Sequence, residues 1–237
     1  MTNYTHLATI KTNHGDIKIN PLNGQTENNG TSIVDVTNPK NPVQLAHIPG
    51  ETGKAEQGGA QMVRVCSGDT LPKGVKGKWY LLRVFGNSAH EIYDVTDPAK
   101  PSLLTTVVKG LEGTHKNWWE CDTGIAYLVS GVPGWRANRM TQVFDLSDPA
   151  NPVFIRNFGL VGQEPTAPKP ENPRFHDGHG AFSTGPQGNR LYFGYGNLGA
   201  LDHFSMFLFL REVMHWNPDK DVSMFSNGNG PQSIVKD

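Results

Sequence analysis

The chain has few of the features that define specialised protein classes. Only two of its 237 residues are cysteines, too few for a small disulfide-stapled scaffold. Its 21 basic and 22 acidic residues nearly cancel and no basic run stands out, so a nucleic-acid partner has no electrostatic support. The nearest approach to an apolar span, residues 204–210, is far shorter than the ~20 residues that cross a bilayer. We therefore expect no nucleic-acid partner and no membrane span.

Signatures of export and catalysis are also missing from the sequence. The N-terminus has no cationic segment followed by an apolar one, so no signal peptide is predicted in this chain. The motifs Gly-x-Ser-x-Gly, Gly-x-x-x-x-Gly-Lys and His-Glu-x-x-His do not occur. What the chain does have is 27 Gly, 17 Pro and only 18% charged residues, which favours a loop-rich β protein.

One phrase occurs three times, as residues 32–43, 91–102 and 142–153. Each copy has a short apolar run that ends in Asp, followed closely by an Asp/Asn-Pro-x-x-Pro segment. The apolar run predicts a β-strand, and the Asx-Pro segment predicts a turn that ends it. A second apolar run follows each turn at once, so each copy predicts a β-hairpin. The second strands are predicted at residues 43–48, 103–108 and 153–158.

The segments between the phrases predict a further pair of strands each. The copies recur at intervals of roughly 50 to 60 residues, a spacing typical of propeller blades. Four strands per repeat make one blade, whereas a β-sandwich would not need repeats this regular. The inter-phrase strands are predicted at residues 61–66 and 79–85, at 114–120 and 125–130, and at 179–183 and 190–195.

The repeated phrase resembles the LVIVD repeat, a β-propeller repeat of bacterial and archaeal secreted and surface proteins. The resemblance covers about residues 21–196 and implies an all-β propeller and a secreted, periplasmic or cell-surface location, more than any activity. Residues 8–19 resemble only the first strand of a bacterial cyclophilin, and no isomerase motif follows them.

The predicted organisation has three parts. Residues 1–20 form a lead strand, residues 21–199 form the blades, and residues 200–237 form a short helix or irregular tail. The repeats supply about four blades, fewer than a closed ring usually contains, so the ring is expected to be incomplete or open. Further blades, or a second copy of the chain in a homo-oligomer, would complete it.

Three histidines suggest a metal site. His115 and His179 open equivalent inner strands, and His176 lies close to His179, so all three could converge at the propeller channel. Imidazole with a neighbouring carboxylate suits a divalent transition metal such as Zn, Cu or Fe. The alternative is that each histidine satisfies loop carbonyls where blades meet.

Tryptophans and arginines suggest a second kind of site. Trp118, Trp135, Arg136 and Arg139 could form a surface for a carbohydrate, an aromatic group or a carboxylate. Because Trp118 and its neighbour Trp119 alternate faces in a strand, we expect at least one of them in the core.

Two residue types are interpreted as structural. The aspartates of the three phrases recur once per repeat, so we expect each to hold a turn or strand end rather than to catalyse. Cys66 and Cys121 are expected to be buried free thiols, because adjacent inner strands rarely bring the two Cα atoms within the ~4.4–6.8 Å that a disulfide requires.

Three functional hypotheses follow from the sequence. The favoured one is a non-catalytic module that binds a small molecule or a protein at the propeller face. The second is a metal-dependent enzyme that uses the three histidines. The third is a truncated propeller fragment without a function of its own.

Overall fold

A computed structural model describes residues 17–52, 62–158 and 163–166, together with two later strands. Every regular element in these residues is a β-strand, which confirms the all-β prediction. The strands are β1 (Ile17–Ile19), β2 (Thr26–Asn28), β3 (Thr31–Asp35), β4 (Val43–Ile48), β5 (Val63–Ser67), β6 (Trp79–Phe85), β7 (Ala89–Asp94), β8 (Ser102–Val108), β9 (Asn117–Trp119), β10 (Ile125–Ser130), β11 (Met140–Asp145), β12 (Val153–Phe158), β13 (Gly178–Ser183) and β14 (Tyr192–Tyr195). Of the predicted lead strand only β1 is described, and the predicted tail lies outside the described residues.

The strands form antiparallel sheets in which sequence neighbours pair. Two sheets have four strands each, in the orders β5-β6-β7-β8 and β12-β11-β10-β9. The pairs β1-β2, β3-β4 and β13-β14 form two-stranded sheets. The predicted hairpins therefore lie at β3-β4, β7-β8 and β11-β12, and the predicted inter-phrase pairs lie at β5-β6, β9-β10 and β13-β14.

The aspartate of each repeated phrase ends its strand with the same local hydrogen bonds. Asp94 Oδ1 accepts from the backbone N–H of Thr96 at 2.9 Å and from its hydroxyl at 2.5 Å. Asp35 makes the same pair of contacts with Thr37, and Asp145 with Ser147. Hydrogen bonds to the carboxylate hold the pKa of Asp35 and of Asp145 below the usual value. The structural role predicted for these residues is confirmed.

The Asx-Pro turn after each aspartate is also the same in all three copies. In the second copy, Asp97 Oδ1 accepts from the N–H of Ala99 at 3.1 Å, and its carbonyl accepts from the N–H of Lys100 at 3.0 Å. Equivalent bonds form at Asn38 and Asp148. Proline after the Asx residue fixes φ near the value that this turn requires. A β-bulge also occurs at the same place in all three copies. The strand register shifts just before the aspartate, at Ile33/Val34, Ile92/Tyr93 and Val143/Phe144.

Alternate residues of each strand face the preceding and the following sheet. On β6, Leu81 packs with Ile33 and Ile48 of the β3-β4 hairpin, whereas Leu82 packs with Leu128 and Phe144 of the β9-β12 sheet. The core therefore consists of two apolar clusters on opposite faces of the β5-β8 sheet. Further along the chain, β13 lies against β9, β10 and β11. From the β3-β4 hairpin to the β13-β14 pair, the sheets thus stack face to face in chain order.

Candidate functional site

The first strands of the two large sheets lie side by side, and a disulfide joins them. Cys66 on β5 is bonded to Cys121, the second residue after β9, with the two Cα atoms 5.3 Å apart. The prediction of free thiols was wrong. Face-to-face stacking brings β5 against β9, so cysteines at the same end of each strand fall within bonding distance. We refer to these adjacent sheet-edge strands as the β5–β9 edge.

An arginine and a tryptophan form the main polar contact of the β5–β9 edge. The guanidinium carbon of Arg64 lies 4.7 Å from the centre of the Trp118 ring, a cation–π distance. Both side chains are half-buried. Arg64 Nη1 donates to the carbonyl of Val63 at 3.3 Å, and burial lowers the pKa of the Arg64 guanidinium. A positive charge is therefore held partly out of water on an aromatic face.

Buried polar atoms without a hydrogen-bond partner concentrate at this edge. In the described part of the chain eight such side-chain atoms occur, and five of them belong to β5, β9 or the residue after β9. Buried polar groups are nearly always paired in folded proteins, so such a concentration marks a site that calls for a functional explanation. The five atoms are Arg64 Nε, Asn117 Oδ1, Trp118 Nε1, Trp119 Nε1 and Glu120 Oε1.

The tryptophans and the glutamate of this cluster differ in burial and in hydrogen bonding. Trp119 is 3% exposed and belongs to the core, whereas Trp118 is half-buried, as the alternation of strand residues predicted. Glu120 accepts through Oε2 from the hydroxyl of Thr123 at 2.7 Å. Burial, with a smaller contribution from Glu120, raises the pKa of Tyr127 to about 12, so this phenol stays neutral at physiological pH.

The predicted ligand residues Trp135, Arg136 and Arg139 lie in the loop between β10 and β11. Arg136 donates from its backbone to the carbonyl of Gln163 at 2.7 Å and from Nη2 to the carbonyl of Pro165 at 3.0 Å. Arg139 Nε donates to the carbonyl of Gly113 at 3.0 Å. These contacts tie the loop to its neighbours. Trp118, by contrast, contacts Arg64, so the two halves of the predicted ligand set have different surroundings.

The predicted metal set is described only in part. His115 is buried between β8 and β9, where its backbone N–H donates to the carbonyl of Val129 at 3.0 Å. His176 lies outside the described residues, and His179 is on β13, whose side chains are not described. Within the described residues no group of three or more His, Cys, Asp or Glu side chains is placed to hold a metal. The site of His115, His176 and His179 remains a prediction.

A buried ion pair that the sequence interpretation missed lies within the β5-β8 sheet, and its arginine also bonds to the end of the β3-β4 hairpin. Arg83 is 1% exposed, and its Nη2 lies 2.8 Å from Glu91 Oε2. The same guanidinium donates to the carbonyls of Ile48 and Pro49 and to the hydroxyl of Tyr93. The single charged residue inside the otherwise apolar strand β6 was the signal that could have revealed this pair.

His90 links the two four-stranded sheets on the opposite face. Its side chain is fully buried, and Nε2 lies 3.0 Å from the hydroxyl of Ser130 on β10. Burial lowers the pKa of His90 to about 3, against an opposing contribution from the backbone of Val129. The imidazole is therefore neutral in the folded protein at neutral pH.

Comparisons with known proteins show little likeness. No protein-family model matches the chain, and no curated protein matches it. Among solved structures, it is similar to a β-1,2-mannobiose phosphorylase from Listeria innocua in complex with β-1,2-mannobiose, at 16% identity and a TM-score of 0.35. The match covers 72% of this chain and 48% of the phosphorylase chain, so the chain spans about half of that protein's length. In the described residues no helix is long and apolar enough to cross a membrane.

Proposed function

We propose that the chain is a run of β-propeller blades of the LVIVD-repeat kind that binds a ligand at the β5–β9 edge. Sheets that stack in chain order, with the same hairpin as the last two strands of both four-stranded sheets, support a propeller, since its blades are successive four-stranded sheets. In that arrangement β5 and β9 are innermost strands, and β8 and β12 are outermost. A second copy of the chain or additional blades would complete the ring.

The observation that carries the binding proposal is the concentration of unpartnered buried polar atoms at the β5–β9 edge. Binding sites typically combine an apolar or aromatic lining with a few convergent polar groups. The half-buried Arg64 and Trp118 supply both kinds of surface in one contact. The repeated aspartates, by comparison, each use Oδ1 to hold a local turn, which gives them a structural role.

The disulfide supports a secreted, periplasmic or cell-surface location for this module. Disulfides form and persist in oxidising compartments and are rare in the reducing cytosol. The bond between Cys66 and Cys121 joins successive sheets beside the proposed binding edge. An oxidising location would therefore also keep the disulfide intact, and with it the contact between β5 and β9.

Ligand binding can be tested with a small-molecule panel, and backbone hydrogen exchange then shows which strands the ligand contacts. The oxidised chain is screened by thermal shift against neutral sugars, aromatic amides and small carboxylates, and hits are titrated by calorimetry. Backbone hydrogen exchange is then measured with and without each hit. We expect saturable binding that slows exchange in β5 and β9 but not in β8 or β12.

The matched control is Leu103→Ser on β8, where the side chain is 52% exposed and far along the sheet from β5. This variant should bind every hit with unchanged affinity. The proposal fails if no member of the panel binds saturably, or if protection appears on the outer strands instead.

A further inference from the structure

The two arginines of the β5-β8 sheet have opposite electrostatic surroundings. Arg83 is paired with Glu91, so its buried charge is neutralised. In the described part of the chain, no Asp or Glu lies within ion-pairing distance of Arg64. Its one described hydrogen bond goes to the carbonyl of Val63, although a guanidinium carries five N–H donors. Arg64 is thus a partly desolvated cation, and most of its donors have no partner among the described residues.

The side chain that contacts Arg64 adds a further hydrogen-bond donor. Trp118 contributes the face of its ring and an indole N–H, which also finds no partner in the described residues. Removing a cation from water is unfavourable unless an anion is placed beside it. A guanidinium presents a flat fork of parallel N–H groups that fits a carboxylate in two-point contact.

We propose that the ligand of the β5–β9 edge carries a carboxylate, which Arg64 binds by paired hydrogen bonds beside the ring of Trp118. This inference rests on the proposed function and names the chemical class of its ligand. The carboxylate neutralises the half-buried guanidinium, and the aromatic face favours a ligand with a flat apolar body next to its acid group.

Benzoate and benzamide are the probes that test it. They share a ring and a planar head group, but only benzoate is an anion. We expect wild-type protein to bind benzoate about tenfold or more tightly than benzamide, because hydrogen bonds to a charged acceptor are the stronger ones. Equal affinity for the two probes, or no measurable binding of benzoate, overturns the proposal without any variant being needed.

Two variants that each remove one positive charge test whether the preference for benzoate depends on Arg64 itself. Arg64→Gln should weaken benzoate binding by about tenfold or more and leave benzamide binding nearly unchanged. Lys109→Gln removes an exposed positive charge after β8, and it should change benzoate affinity by less than about twofold. Circular dichroism and a thiol assay for the intact disulfide establish that both variants are folded. Retention of benzoate affinity by Arg64→Gln contradicts the assignment.

Failure of this inference can be told apart from failure of the proposed function. If a neutral sugar or amide slows exchange in β5 and β9 and its affinity does not depend on Arg64, the edge binds ligands but not through a carboxylate. If neither anionic nor neutral compounds protect β5 and β9, the binding function itself is wrong.

Discussion

The two faces of the β5-β8 sheet are held to their neighbours in different ways. Towards the β3-β4 hairpin, the contact contains a buried ion pair between Arg83 and Glu91 with hydrogen bonds to backbone carbonyls. Towards the β9-β12 sheet, it contains the disulfide, an apolar cluster and the neutral His90. The same supersecondary unit therefore tolerates a charged contact on one side and a covalent and apolar contact on the other.

Equivalent positions in the two four-stranded sheets carry residues of different chemistry. Arg83 pairs in register with Glu91, and the matching pair in the next sheet is Leu128 with Gln142. Arg83 and Leu128 both face the preceding sheet, one as a cation and the other as part of the apolar cluster. The backbone geometry is repeated, but the chemistry of each sheet-to-sheet contact is set separately.

The largest effect is expected from breaking the charged contact. Arg83→Met leaves the Glu91 carboxylate buried without its partner and also removes donors to two carbonyls, so we expect a loss of about 5 kcal/mol in the free energy of unfolding, the upper end for such pairs. Urea unfolding of the oxidised protein measures it. The double variant Arg83→Met/Glu91→Leu should recover a large part of that loss, since no charge is then buried. A double variant as unstable as the single one would show that the ion pair is not the main contribution.

The opposite contact is tested by removing its covalent bond. Cys66→Ala/Cys121→Ala should lower the free energy of unfolding by about 4 kcal/mol, because the disulfide restricts the unfolded chain across a long loop. Denaturant unfolding of the variant and of the reduced wild type should give similar midpoints. A loss below about 1 kcal/mol would mean that the apolar cluster alone holds the two sheets together.

The smallest of the three effects concerns His90 and depends on pH. Its pKa is lowered to about 3 in the fold, so between about pH 6.5 and 3 the unfolded chain binds a proton that the folded one does not. Stability is therefore fully present above about pH 6.5 and decreases as the pH falls. This residue should contribute a loss of about 2 kcal/mol between pH 7 and pH 5.

The variant His90→Phe isolates this contribution. Its absolute stability changes because Ser130 loses a partner, so the quantity to compare is the difference in unfolding free energy between pH 7 and pH 5. That difference should be about 2 kcal/mol smaller in the variant than in the wild type. Identical differences would show that His90 is not the titrating group.

Those features that depend on a few consecutive residues could be predicted from the sequence. The Asx-Pro turns and the strands on either side of them were predicted correctly, because every hydrogen bond that fixes each turn lies within the repeated phrase. The bounds of β4 and β12 agree with the prediction residue for residue. All-β architecture follows from this local pattern.

The contacts between sheets could not be predicted in the same way. Cys66 and Cys121 are 55 positions apart, and only the face-to-face stacking of β5 on β9 brings them together. For the same reason Arg64 was not singled out, since its partner Trp118 lies on another sheet. The loop arginines Arg136 and Arg139 were recognised by composition, but their carbonyl partners are distant in sequence and left no signal.

The disulfide also has a mechanical consequence. A pulling force applied to the chain on either side of Cys66 and Cys121 passes through the bond and bypasses strands β6 to β9. At about 3.5 Å per residue, roughly 190 Å of extended chain stays locked inside this covalent loop until the bond is reduced. Under tension the chain would therefore stretch in two stages. The residues outside the loop would extend first, and those inside it would extend only after a reductant had cleaved the disulfide.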